Sequence, residues 1–174
     1  MNSHLETLKK LFNVCPVSTI LEFGTGAFST PLFSDYADIV VTIEQQDLNW
    51  VDIAKKEIEK NGKKNVLFYY VPQTEDRANL KEFLKFNRFD FVFIDGIDRY
   101  TCLDLSLDVS NLIAMHDSQS WWQENKIPIN RQKDEWYGWS NGGNPATSII
   151  AKDKNILIKL DESMKQGVFI GETK

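Results

Sequence analysis

The sequence is short of several things. It has two cysteines, Cys15 and Cys102, far apart and in no Cys-x-x-Cys pair, so zinc and dithiol chemistry have no support. Lone cysteines of this kind ordinarily serve as small buried apolar residues. No apolar run approaches the ~20 residues that a membrane-spanning helix needs, so no membrane partner is expected. The amino terminus shows no charged region leading into an apolar core. No leader is therefore expected, and a reducing cytoplasm is the expected setting. Basic residues are in deficit: 20 Lys and Arg stand against 25 Asp and Glu, a net charge of −5. A nonspecific nucleic-acid surface needs clustered cations to displace counterions, so no nucleic-acid partner is expected. Lys60, Lys63 and Lys64 read as a solvated helix end.

What is present is ordinary globular composition over 174 residues, enough for one domain with a sizeable core. Leu5, Leu8, Leu11 and Phe12 recur at helical spacing, and Pro16 ends that helix. Apolar strands then alternate with helices. Strands are expected over 17–23, 39–43, 66–71, 89–94 and 112–115. Helices are expected over 28–36, from an Asp47 cap to about Asn61, after Thr74, and over 100–107. The alternation implies crossover units and a Rossmann-like, doubly wound α/β fold, with a mostly parallel sheet of about seven strands. Residues 147–151 and 156–160, joined by Lys152-Asp153-Lys154-Asn155, read as a closing antiparallel hairpin. Gly167 to Ile170 reads as a further short strand or a tail.

Ligands in such folds sit outside the carboxyl ends of the strands, and the polar residues gather there. The strongest signal is Glu22-Phe23-Gly24-Thr25-Gly26, where a strand turns into a helix. Glycines at that turn let a ligand approach the backbone, and the helix amides then face it. Glu44 closes the next strand eighteen residues after Gly26, where a carboxylate can accept ribose hydroxyls. Glu22 would repel a pyrophosphate but suits a cationic sulfonium nucleoside; the plainer alternative is a strand-end acid pairing with a nearby Lys.

With these residues in view, the sequence resembles class I S-adenosylmethionine-dependent methyltransferases. Glu22-x-Gly24-x-Gly26 matches their acidic-x-Gly-x-Gly motif, Glu44 their ribose-binding acid, and Phe91-Val-Phe-Ile-Asp95-Gly96 their fourth strand. Asp95-Gly-Ile-Asp-Arg-Tyr100 and Ile113-Ala-Met-His-Asp117 look like a subgroup acting on hydroxyls of small molecules and sugars. The resemblance covers about residues 17–117. It departs at Phe28, where the family has a third glycine, and at Asp108-Val-Ser-Asn111, where a Pro-Gly-Gly turn is usual. It departs again at Val71-Pro-Gln-Thr74, where Gln73 or Thr74 would have to serve the adenine. The resemblance implies S-adenosylmethionine as cofactor, held by Glu22, Phe23, Gly24, Gly26, Glu44, Gln45, Gln73, Thr74, Asp95 and Gly96. It implies a small-molecule or sugar acceptor, with a homodimer left open.

A second constellation is Asp95, His116 and Asp117. Two carboxylates and an imidazole can hold Mg²⁺ or Mn²⁺, and cation-dependent members of the family hold the acceptor hydroxyl on such a metal. The alternative is that Asp95 turns the chain and Asp117 caps a helix. Without metal, His116 is the candidate general base, because an unperturbed imidazole titrates near pH ~6.5; Asp117 and Asp98 are the other catalytic candidates. His4 reads as a surface residue. Residues 118–146 carry Trp121, Trp122, Trp136, Tyr137 and Trp139. They read either as cover for the sheet edge or as an aromatic acceptor lid. The expected plan is thus one domain, 1–174. It comprises an amino-terminal helix (1–15), a cofactor-binding core (17–117), the lid (118–146) and a closing hairpin with tail (147–174). The rivals are a nicotinamide-dependent enzyme and a non-catalytic cofactor-binding domain on the same fold.

Overall fold

Short apolar runs rich in Val, Ile and Phe are buried on both faces when helices cross over a parallel sheet, and the first half of the chain follows that rule. The computed structural model describes residues 3–72, 77–119, 136–143, 145–164 and 168–172. Its contacts divide into two compact units: Val17–Ser110, and Met1–Pro16 together with Asn111–Lys174. The architecture is Rossmann-like, with parallel strands and crossover helices first and antiparallel strands last. Among the described residues no helix is long and apolar enough to cross a membrane.

The unit Val17–Ser110 contains β1 (Thr19–Phe23), α2 (Ser29–Tyr36), β2 (Ile39–Glu44), α3 (Leu48–Lys60), β3 (Val66–Tyr70), α4 (Arg77–Lys85), β4 (Phe91–Ile94) and α5 (Arg99–Ser106). Its strands lie in the order β3-β2-β1-β4, all parallel. Register sets Glu22 of β1 beside Thr42 of β2 and Phe93 of β4. The strand exits at Gly24, Glu44 and Asp95 therefore gather at one end of the sheet. The core is aromatic: Phe33 of α2 meets Phe91 and Phe93 edge-on at 6.1 and 5.3 Å. Such pairs contribute about 0.5–1.5 kcal/mol each beyond their buried area. They pin α2 against β4, which fixes one end of the glycine turn. Asp47 caps α3 by accepting the Asn49 amide at 2.9 Å, as its position predicts.

The other unit contains α1 (Ser3–Val14), β5 (Leu112–His116), β6 (Tyr137–Ser140), β7 (Thr147–Ala151), α6 (Lys154–Met164) and β8 (Val168–Glu172). Its strands run β5-β7-β6-β8, each pair antiparallel. α1 buries Leu8, Leu11 and Phe12 and packs on α6 and β7. One expectation is corrected here. Residues 156–160 are not a strand; they lie inside α6. Asp153 accepts the Asn155 amide at 2.9 Å and starts the helix, while Leu157 and Leu160, three apart, turn inward. The antiparallel hairpin partner of β7 is β6 instead, and the described residues hold eight strands, in keeping with the expected sheet of about seven.

Candidate functional site

At the exit of β1 the chain must bend sharply, and Gly24 does so at φ +90°, a conformation that L side chains avoid. A Cβ there would also overlap the backbone of Gly96, and one on Gly96 would come within 3.1 Å of the Gly24 nitrogen. The two glycines stand backbone to backbone, tied by the Asp95 amide donating to the Phe23 carbonyl at 2.8 Å. Phe23 is itself a core residue, so only its backbone faces the turn.

Glu22 lies under this turn and is fully buried. Ser29 Oγ donates to its Oε1 and Thr30 Oγ1 to its Oε2, both at 2.5 Å. Thr30 Oγ1 in turn accepts the Gly26 amide at 3.1 Å. The pairing with a Lys that the sequence allowed is not what holds Glu22; two hydroxyls do. Burial pushes its carboxyl from 4.5 up to about 7. Hydrogen bonds from Ser29, Thr30 and Thr42 oppose that rise, and the charge of Asp95 adds to it.

Glu44 is buried at the end of β2 and binds four backbone amides. Oε1 accepts from Gln45, Gln46 and Asp47 at 3.0, 2.6 and 3.1 Å, and Oε2 accepts from Thr25 at 3.0 Å. A carboxylate has about four acceptor positions, so little capacity remains for a bidentate grip on ribose. In this state Glu44 ties the glycine turn to the loop after β2. A hydroxyl pair between Thr25 and Thr42 at 2.8 Å adds a second tie. Gln45 is buried, and its Oε1 accepts from Cys102 Sγ at 3.4 Å. Asp95 is part-exposed and pairs with Arg99 at 3.3 Å. Asp98 is exposed at φ +54°, begins α5, and accepts the Thr101 hydroxyl at 2.9 Å. Gln73 and Thr74 lie outside the described residues.

His116 and Asp117 belong to the other unit. His116 is buried at the end of β5, with Nδ1 at 3.1 Å from Thr147 Oγ1 and Nε2 at 3.8 Å from Asp117 Oδ1. With Nδ1–H donating to Thr147, Nε2 carries the lone pair. Asp117 is exposed and held at φ +55°, an unusual state for a residue with a Cβ. His4 is not the surface residue its sequence suggested: it is part-buried, its ring centroid 4.3 Å from that of His116. Of the aromatic segment, Trp121 and Trp122 lie outside the described residues. Trp136 and Trp139 are buried, Trp139 within β6, with Nε1 donating to Asp161 at 2.9 Å. That portion is core, not lid, because its neighbours β7 and β8 enclose it. Ser29, Thr30, Thr147 and His4 were missed by sequence reasoning. Only the hydroxyl pair seven and eight residues after Glu22 left a readable trace.

No family model matches the sequence, and neither does any curated protein. Solved structures do resemble the fold. The O-methyltransferase TomG from Streptomyces achromogenes, involved in tomaymycin synthesis and crystallised with S-adenosylmethionine, superposes with a TM-score of 0.65 at 14% identity. The match covers 87% of this chain and 80% of that one. An O-methyltransferase from Bacillus cereus in complex with S-adenosylhomocysteine gives 0.65 at 18% identity, covering 87% and 81%. An rRNA methylase from Streptococcus thermophilus gives 0.59 at 14% identity, covering 87% and 96%. The Rossmann-like fold expected from the sequence is therefore one that these methyltransferases share.

Proposed function

We propose that this chain binds S-adenosylmethionine over Gly24–Gly26 and transfers its methyl group to a hydroxyl of a small molecule or sugar. One observation carries the reading: a positive-φ glycine turn at the exit of β1, with buried Glu44 bonded to its Thr25 amide and buried Glu22 linked to its Gly26 amide through Thr30. Such a turn admits a nucleoside close to the backbone but offers no welcome to a pyrophosphate, which disfavours the nicotinamide alternative. The fold likeness to O-methyltransferases crystallised with the cofactor or its product supports the same reading. The net charge of −5 favours a small acceptor over RNA.

In the proposed reaction the acceptor oxygen attacks the methyl carbon in line with the sulfonium. The carbon–sulfur bond breaks, S-adenosylhomocysteine leaves neutral at sulfur, and the hydroxyl proton passes to a base. His116 Nε2 is the proposed base, held in orientation by Thr147; Asp117 is set to stabilise the imidazolium, and Asp98 is a second, weaker base candidate. Positioning supplies most of the acceleration in such a displacement. His116 and Asp117, which belong to the same unit, are also proposed ligands for a divalent cation. Their mixed nitrogen and oxygen donors suit Mn²⁺ better than Mg²⁺, and the ion would supply acidification of the acceptor hydroxyl.

The test is calorimetry with S-adenosylmethionine, S-adenosylhomocysteine and NAD, then a methyl-release assay on hydroxylated compounds with Mn²⁺, Mg²⁺ or chelator. Saturable binding of both sulfur nucleosides and none of NAD is expected. Binding of NAD alone would overturn the assignment, and binding without turnover on any acceptor would leave a cofactor-binding domain.

A further inference from the structure

The hydroxyls of Ser29 and Thr30 meet a carboxylate that cannot reach solvent. Each oxygen of Glu22 takes one of them, and Thr30 uses its remaining capacity on the Gly26 amide. A Cβ on Gly26 would land on Ser29 Oγ. A side chain at position 26 would therefore have to displace that hydroxyl from Glu22, whether or not a ligand approaches. Four residues are thus linked: Glu22 orients Ser29 and Thr30, Thr30 holds Gly26, and Ser29 fills the space above Gly26, while Thr42 bonds Glu22 from β2. The linkage spans the whole bend, because Glu22 is on β1 while Ser29 and Thr30 are on the first turn of α2.

We infer that Ser29 and Thr30 are positioning residues of the cofactor site, through which Glu22 fixes the amides of the glycine turn without itself touching the cofactor. This rests on the proposed nucleoside binding and assigns the motif acid a different part in it. A fully buried carboxylate that protein hydroxyls hold beneath the turn is not presented to an ammonium or sulfonium lying over it. What it does have is leverage on the turn. Removing one hydroxyl strips a charge-assisted bond from a buried group, and bonds of that kind are worth roughly 10- to 100-fold in an equilibrium.

The experiment is S-adenosylhomocysteine calorimetry on folded wild type, Thr30→Val, Thr30→Ser, Ser29→Ala, Gly26→Ala and the Gly26→Ala/Ser29→Ala double variant. Amide exchange at Gly26 is followed in parallel. Thr30→Val is expected to weaken binding at least ~10-fold and to speed exchange at Gly26, while Thr30→Ser restores both to near wild type. The double variant is expected to bind better than the sum of its single losses predicts, because the Cβ then meets no hydroxyl. A role confined to stability would lower the melting temperature of Thr30→Val yet leave the affinity of the folded protein unchanged, and that result overturns the inference. Should Thr30→Val fail to fold, Ser29→Ala and the double variant decide the question. A wild type that ignores the nucleoside defeats the functional reading instead. In that case unchanged exchange at Gly26 in Thr30→Val would defeat the positioning claim separately.

Discussion

Replacing Glu22 with Gln should remove a large part of the way stability responds to pH. Glu22 is fully buried, and burial raises its carboxyl to about 7 from 4.5. A raised acid binds its proton more tightly in the folded protein than in the unfolded chain. Ionised Glu22 therefore costs stability above pH ~7, and the cost is relieved as pH falls toward ~4.5. The shift corresponds to roughly 3 kcal/mol, of which about 2–3 kcal/mol is recovered between pH 8 and pH 5. Glu22→Gln removes the titration and keeps one oxygen for the hydroxyls. Urea unfolding of wild type and variant at pH 5, 6, 7 and 8 measures the difference, in which other titrating groups cancel. Wild type should gain on the variant by about 2–3 kcal/mol as pH drops across that range. A difference that stays flat would show an ordinary carboxylate and remove the claim that burial governs this residue.

Other outcomes follow from the same geometry. Gly24→Ala should lose about 3 kcal/mol in chemical denaturation, from a left-handed backbone and a clash with Gly96 that cannot relax. Glu44→Ala leaves four loop amides without their acceptor and should destabilise by about 2–4 kcal/mol; a loss within ~0.5 kcal/mol would show that water replaces the carboxylate freely. Asp117→Gly relieves a left-handed aspartate and should raise stability by up to about 1 kcal/mol while abolishing methyl release and sparing nucleoside binding; retained turnover would free Asp117 from any chemical role. Trp139→Phe keeps most of the buried ring and removes the bond to Asp161, so a loss of about 1–2 kcal/mol is expected from thermal unfolding.

The parallel half was readable because its signals agree. Apolar runs of strand length alternate with helices, one of them capped by Asp47, and Glu22, Gly24, Glu44 and Asp95 all fall within one residue of a strand end. The carboxyl-terminal half was harder for physical reasons. Ile156-Leu-Ile-Lys-Leu160 is short and apolar, and its period cannot separate strand from helix. The choice was made by Asp153 acting as a cap and by the inward pair Leu157 and Leu160. Tyr137-Gly-Trp-Ser140 mixes two strand-favouring aromatics with Gly and Ser in a run too short to read alone. It becomes β6 because β7 and β8 pair with it on either side, information that no local window holds. The site shows the same division. Residue types at strand ends were legible, but their partners were not. His4 meets His116 across more than a hundred residues of chain, and Glu44 spends its oxygens on amides, which sequence never displays as chemistry.

The backbone-to-backbone meeting of Gly24 and Gly96 has a practical side for anyone redesigning this chain. Two strands reach their exits with almost no room between them, so Gly24 cannot be varied to tune ligand preference, Gly96 only with backbone movement, and neither substitution can be compensated by shrinking its opposite, which is already the smallest residue there is. Diversity aimed at new acceptors belongs elsewhere, and a library that leaves both codons fixed loses nothing by it.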